Sequence, residues 1–307
     1  MILCSGEALI DMLPRVSATN EQMFAPHAGG AVFNTAMALG RLGRDTGFFS
    51  GLSSDLFGEI LQAALKDSGV DTSLANISDR PTTLAFVKLV DGHASYAFYD
   101  ENTAGRCLGL SDVPTLPPSV KALFFGGISL VVEPCAEAYE ALMAREAASR
   151  VTMIDPNIRP SFISDEAAYR ARLERMIALS NIVKLSDEDL HWLLGDGALP
   201  DLAQRILDMG PKVFCLTEGA KGVTAYTKDG AYFEAAQKVE VVDTVGAGDT
   251  FNAGFLAALD CKDLLDKAAF ESISEEDLRA ALKFGAKVAA IVVARAGANP
   301  PWAHELT

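Results

Sequence analysis

The chain has 307 residues, half of them hydrophobic, and a formal net charge of −15 at pH 7. That length and apolar share suffice for one large core, and the negative surface repels nucleic acid and anionic membranes, although backbone N–H groups can still hold a phosphate locally. The longest apolar stretch, around 286–294, is broken by Lys287 and too short to span a bilayer, and the amino terminus reads as a strand, not a signal peptide.

In chain order, residues 2–8 are the first buried-strand candidate, and 9–13 stay strand-like before a polar, turn-rich stretch. Asp11 falls at the end of a strand, where open α/β sheets bind ligands; an ordinary surface Asp is the alternative. Gly29-Gly30 precedes a helical pattern over 32–42. The glycine pair lets backbone approach a ligand, and Asn34, about one turn on, can face the same point. A helix start with an incidental Asn explains the same residues. A strand over 46–50 and a helix over 55–67 follow. Residues 82–90 and 94–100 alternate like half-exposed strands around a hairpin signal, Asp91-Gly92. They read as a small sheet standing off the main domain, with Tyr96 and Phe98 on one face. Five cysteines, without C-x-x-C spacing, read as reduced thiols of a cytoplasmic protein, and the four scattered histidines offer no zinc site.

Further on, apolar strands are expected over 122–126, 151–155, 182–185, 213–217 and 223–227, with helices over 135–149, 166–179 and 202–209. Strands that are apolar throughout and joined by helices imply an α/β fold with a largely parallel sheet covered on both faces. After the strand ending at Asp155, Pro160 holds Arg159 extended and aims its guanidinium out of the sheet edge; a structural salt bridge is the alternative. Lys184 ends another strand, just before Ser186-Asp187-Glu188-Asp189. In Thr217-Glu218-Gly219-Ala220-Lys221-Gly222 the glycines let backbone pass close to phosphates, and a simple turn accounts for them equally well. No Gly-x-x-x-x-Gly-Lys-Ser/Thr loop is present, which excludes a P-loop kinase, and no Gly-x-Gly-x-x-Gly follows the first strand, as an NAD-binding Rossmann domain requires.

The stretch from Val241 to Phe255 organises the rest. The β-branched run Val239 to Val242 reads as a strand that breaks at Gly246-Ala247-Gly248 and gives way to a helix marked by Phe251, Phe255, Leu256 and Leu259. First-turn N–H groups at such a junction attract an anion. Asp249 is out of place beside an anion unless it accepts a proton from an attacking hydroxyl; capping the helix is the plainer role.

The string Asp-Thr-Val-Gly-Ala-Gly-Asp-Thr-Phe-Asn-Ala-Gly-Phe from Asp243 resembles the C-terminal signature of the ribokinase-like (PfkB-type) carbohydrate kinases. Gly29-Gly30 with Asn34 resembles their N-terminal signature, more than 200 residues away and in the expected order. The resemblance therefore covers essentially the whole chain. It implies one domain over 1–307, a three-layer α/β/α fold with a mostly parallel central sheet, and a small β-sheet lid contributed by about 9–30 and 81–106. It makes Asp249 the base and the backbone of Gly246, Ala247 and Gly248 an anion hole. Asp11, Gly29, Gly30 and Asn34 contact sugar hydroxyls, Tyr96 and Phe98 stack on the ring, and Arg159 lies near substrate and steadies phosphoryl charge. Lys184, Thr217, Gly219, Gly222 and Gly248 border ATP with its Mg2+. A potassium ion is implied among Val292, Arg295 and Gly297, with Asp243 and Val245.

The chain departs from the family twice. Ser186 and Asp189 replace an Asn-x-x-Glu pair linked to magnesium and phosphate. Phe284-Gly285-Ala286 stands where relatives place a polar His or Asn near adenine, which implies apolar, backbone-based recognition of the base. The Asp-Pro-Asn-x-Arg string resembles the fructokinase and 2-keto-3-deoxygluconate kinase branches of the family, and Tyr-x-Phe-Tyr followed by Thr-Ala is similar to bacterial fructokinases in particular. The expected reaction is ATP-dependent phosphorylation of fructose to fructose 6-phosphate. 2-Keto-3-deoxygluconate, ribose or a nucleoside are alternative substrates. A sugar-binding regulator without turnover is a further alternative, against which the base and anion hole speak. A homodimer through the lid is also expected.

Overall fold

The computed structural model describes residues 1–90 and 93–306, without the side chains of residues 88–90 and 93–96. The expected hairpin turn at Asp91-Gly92 and the Tyr96 ring lie outside the described residues. The chain opens with β1 (Ile2–Ser5), β2 (Leu9–Val16), β3 (Gln22–Gly29), α1 (Ala31–Arg41), β4 (Thr46–Phe49), β5 (Gly51–Ser53), α2 (Leu56–Asp67), β6 (Asn76–Ser78), β7 (Leu84–Val90) and β8 (His93–Tyr99). Its middle holds β9 (Ala122–Gly126), α3 (Cys135–Glu146), β10 (Val151–Asp155), α4 (Glu166–Leu179), β11 (Ile182–Ser186), α5 (Asp187–Leu194), α6 (Leu199–Asp208) and β12 (Val213–Thr217). It closes with β13 (Gly222–Thr227), β14 (Gly230–Ala235), α7 (Ala247–Cys261), α8 (Lys267–Glu271) and α9 (Glu275–Val293).

The main sheet has the order β14-β13-β12-β11-β10-β9-β1-β4. From β4 to β12 its strands run parallel, and β13 and β14 turn antiparallel. Successive strand residues face opposite sides, so a continuous apolar run fills two cores at once. Leu3, Phe49, Phe125 and Ile154 pack with α3, α4 and α6 on one face. Ile2, Cys4, Phe48 and Phe124 pack with α1, α7 and α9 on the other. The three layers follow directly. Helix ends are marked locally as well: Asp55 caps α2 by accepting from Gly58 N at 2.7 Å, and Ser274 and Asp277 form a reciprocal cap on α9.

A second sheet, of order β3-β2-β7-β8, stands off the first and is the expected lid. Two expectations are corrected by it. The run 2–8 is not one strand: β1 stops at Ser5 in the main sheet, and the chain kinks before β2 joins the lid. The polar stretch after residue 13 is largely β3, whose side chains are mostly exposed and therefore carry little apolar alternation. The expected strand over Val239 to Val242 is also absent. This segment is exposed and belongs to no strand, with Val241 64% and Val242 58% accessible. It is tied to the end of α9 by Val242 N and Asp243 N, both donating to the Val293 carbonyl. β-Branched residues favour extended backbone, but without a neighbouring strand edge no ladder forms.

Candidate active site

The C-terminal ends of β1, β9, β10 and β11 open toward α1, the start of α7 and the lid, leaving a cleft of about 300 Å³. This is where parallel α/β sheets carry their sites. At its centre is the turn into α7. Gly246 takes a left-handed conformation at φ 78°, and a Cβ there would press on Ala298 at 2.7 Å, so glycine is required. Ala247 N reaches the Thr244 carbonyl at 3.3 Å, whereas the N–H groups of Gly246, Gly248 and Asp249 find no acceptor among the described residues. Three unengaged donors at a helix N-terminus fit a phosphoryl group. Asp249 is buried and accepts from Asn34 Nδ2 at 2.9 Å through its Oδ2. Burial pushes its carboxyl up to about 7; the Asn34 bond and nearby Lys184 oppose the rise, and Asp155 and Glu7 add to it. A carboxyl that titrates near neutrality suits a general base.

The other expected ligand contacts converge on the same cleft. Asp11, Gly30, Asn34, Phe98 and Arg159 all border it. Burial raises the Asp11 carboxyl to about 6. Gly29 is set back from the cleft, and its missing side chain leaves room for the Asp11 carboxylate, which a Cβ would strike. Gly30, at φ 110°, passes close to the Glu7 carbonyl. Phe98 packs edge-on against Phe162 at 4.8 Å, joining the lid to the main domain. Arg159 is exposed and makes no ion pair among the described residues; its guanidinium bends back to the Asn157 and Ile158 carbonyls at 3.3 and 3.0 Å.

Lys184 is buried and lines the cleft, 3.1 Å from where a Cβ on Gly248 would stand. Burial lowers its pKa, but Asp155 at 3.0 Å and Asp189 outweigh that and hold the ammonium charged. Asp155 Oδ2 also accepts from Asn252 Nδ2 at 2.7 Å. Glu7 accepts from Ala31 N at 2.8 Å at the start of α1, and burial raises its carboxyl. Glu7, Asp155 and Asn252 escaped the sequence reading. Asn252 could have been found, because it lies one helical turn after Asp249 in an apolar pattern. Asp155 could also have been found, because like Asp11 it is a carboxylate at a strand end; Glu7 left no such signal.

Ser186 and Asp189 form a reciprocal cap on α5: Ser186 Oγ accepts from Asp189 N at 3.0 Å, and Asp189 Oδ2 from Ser186 N at 3.3 Å. Asp189 Oδ1 takes the Ile158 N–H at 3.0 Å, so this pair anchors the loop that carries Arg159. Thr217 ends β12, Gly219 lies in the turn that follows and Gly222 opens β13; none of the three borders the described cleft. Thr217 Oγ1 reaches the Leu185 carbonyl at 3.3 Å, and a Cβ on Gly222 would run into the Glu234 carbonyl of β14. Asp243 ties the two expected potassium segments together. Its Oδ1 accepts from Val245 N at 3.0 Å and its Oδ2 from Gly297 N at 2.9 Å. The Val292 carbonyl takes the Arg295 N–H and the Gly297 carbonyl that of Asn299, while Arg295 pairs with Glu305. Gly285 and Ala286 are buried, with Gly285 facing the Phe251 ring.

Comparison with known proteins agrees with this geometry. The family model described as pfkB family carbohydrate kinase matches residues 1–305. A fructokinase of Rhizobium leguminosarum bv. trifolii is 56% identical over 279 residues, covering 91% of this chain and 86% of that protein. The fructokinase of Xylella fastidiosa, solved with bound ATP, has a TM-score of 0.90 at 30% identity and covers 99% of this chain and 96% of its own. A double mutant of the Vibrio cholerae O395 fructokinase, solved with fructose, ADP and potassium ion, has a TM-score of 0.85 at 26% identity and covers 97% and 93%. With its three layers, its lid and both signature segments meeting in one cleft, the chain belongs to the pfkB family of carbohydrate kinases.

Proposed function

We propose that this chain transfers the γ-phosphoryl group of ATP to the 6-hydroxyl of fructose. One observation carries the reading: Asp249, the N–H groups without acceptors beside it, and the hydroxyl-binding candidates Asp11 and Asn34 share one cleft. Asp249 takes the hydroxyl proton as the oxygen attacks phosphorus and the bond to the ADP oxygen breaks. The N–H groups of Gly246 and Gly248 receive the charge on the transferred group, joined by that of Ala247 as it leaves the Thr244 carbonyl and aided by the Lys184 ammonium. Asp11, Gly30 and Asn34 orient the sugar under Phe98 and Tyr96, Gly29 contributes by leaving room for the Asp11 carboxylate, and Arg159 steadies the phosphoryl charge. Bound magnesium–ATP supplies the phosphoryl group and neutralises its phosphates. Thr217, Gly219 and Gly222 border the nucleotide, and Asp243, Val245, Val292, Arg295 and Gly297 frame a potassium ion. The relatives' names support fructose as the sugar.

A coupled assay with ATP against fructose, 2-keto-3-deoxygluconate, ribose and adenosine, run in potassium, sodium and tetramethylammonium salts, tests this. Fructose is expected to give the highest kcat/KM, with the best rate in potassium. Preference for another acceptor overturns the sugar assignment, and equal rates in all three salts remove the potassium site. The reading includes a cytoplasmic enzyme, supported by five free cysteines. It also includes a homodimer packed through the lid. Among the described residues no helix is long and apolar enough to cross a membrane.

A further inference from the structure

Asn34 sits in the first turns of α1, 6% exposed, and reaches across to the base. Its Nδ2 donates to Asp249 Oδ2 at 2.9 Å. The reverse orientation of the amide would set its oxygen against a carboxylate oxygen, so the carboxylate itself decides which way the amide points. One residue on, the Thr35 hydroxyl lies 3.2 Å from the Asp249 carbonyl and 3.1 Å from that of Ala31, holding the backbone of α7 against α1. The second carboxylate oxygen, Oδ1, receives no hydrogen bond among the described residues. The two oxygens of one buried carboxylate are therefore unequal.

We propose that Asn34 is a positioning residue for the base: by engaging Oδ2 it leaves Oδ1 as the oxygen that takes the proton from the attacking hydroxyl. The inference rests on the reading of Asp249 as that base. A pinned carboxylate does not rotate between its two faces, so the acceptor oxygen is in place before the sugar binds. The amide N–H also favours the ionised form and keeps the base available at a pH that burial alone would deny it. In the step, the hydroxyl oxygen bonds to the γ-phosphorus, the bond from phosphorus to the ADP oxygen breaks, and the proton passes to Asp249 Oδ1. Other charged groups face Asp249 from different elements: Glu7 after β1, Asp155 on β10 and Lys184 on β11. Asp11 on β2 and Arg159 after β10 border the same cleft. None of them hydrogen-bonds the Asn34 side chain among the described residues.

The test is the pH dependence of kcat at saturating fructose in Asn34→Ala and in Asn34→Leu, which keeps the volume and removes the donor. The acid limb of kcat is expected to move up by about one pH unit and kcat at neutral pH to fall about tenfold, the scale of one hydrogen bond to a charged group. A raised fructose KM with an unmoved limb would show a sugar contact and nothing more, and would overturn the inference. A readout on the unaltered protein guards against misfolded variants. The side-chain amide protons of 15N-labelled Asn34 are expected to titrate with the base, and Asp249→Asn to abolish that titration; amide signals insensitive to pH would also overturn it. Asp249→Asn separates the two claims. Retained turnover in that variant ends the reading of Asp249 as base, whereas lost turnover with an unmoved limb in the Asn34 variants ends this inference alone.

Discussion

Asp249 and Asp11 both sit where water is scarce, and burial lifts their carboxyls to about 7 and about 6. The two should separate in a pH series. As pH falls, kcat is expected to drop first, through about 7, as Asp249 takes up a proton, and fructose KM to rise below about 6, as Asp11 loses its charge. Steady-state kinetics from about pH 5 to 9 checks the order, and Asp11→Asn should remove only the KM change. Replacing the base itself, Asp249→Asn, is expected to keep sugar binding and lower kcat by roughly 10² to 10⁴. The same variant carries a stability prediction of definite sign. With a folded pKa above its ordinary 3.8, Asp249 leaves stability intact below that value and diminishes it as pH rises toward about 7. Asp249→Asn should therefore melt higher than the parent at pH 8, by a margin that shrinks toward pH 4. Equal melting temperatures at pH 8 would mean that ionising this carboxyl costs the fold nothing.

Helix α7 serves the site from one side and the core from the other. Asp249 and Asn252 face the cleft network, while Gly254 lies against α9, where a Cβ would come within 2.8 Å of the Gly285 Cα and 3.1 Å of Val288. Glycine inside a helix costs about 1 kcal/mol relative to alanine, and the near contact of the two backbones offsets it here. Gly254→Leu is expected to destabilise the protein by about 1–3 kcal/mol through overpacking, read from urea denaturation. Activity should fall with it, because α9 pushes on the helix that aims Asp249; an unchanged denaturation midpoint would show that α9 gives way freely. The crossing also bears on Phe284-Gly285-Ala286, which the sequence offers for apolar, backbone-based recognition of the base: Gly285 serves the packing of α9 on α7. The run Val239 to Val242 misleads for a related reason, since strand propensity describes a backbone preference and says nothing of a partner edge.

For the whole molecule, the lid leaves a row of apolar side chains uncovered. Phe86 meets both Phe24 and Tyr99 edge-on, and Val16, Met23, Phe24 and Tyr99 are each 46–58% exposed. A surface charge of −15 opposes self-association, so the proposed dimer must draw on such a patch. Light scattering is expected to give twice the 32.6 kDa chain mass, and Phe24→Asp with Tyr99→Asp to return a monomer; a monomeric parent ends the proposal. The sequence by itself determined the layered α/β fold, because apolar strands such as 122–126 and 151–155 must be covered on both faces. It also determined the turn at Gly246, because the residues that build a strained helix start are contiguous and of special types. Only the tertiary structure decided what surrounds Asp249. Asn34 lies 215 residues away in the chain, Glu7 comes from the link between β1 and β2 and Asp155 from the end of β10, and Lys184 has its charge held by Asp155. Local pattern records which backbone a segment prefers. The pairing and ionisation of buried polar groups depend on which distant segments the folded core brings against them.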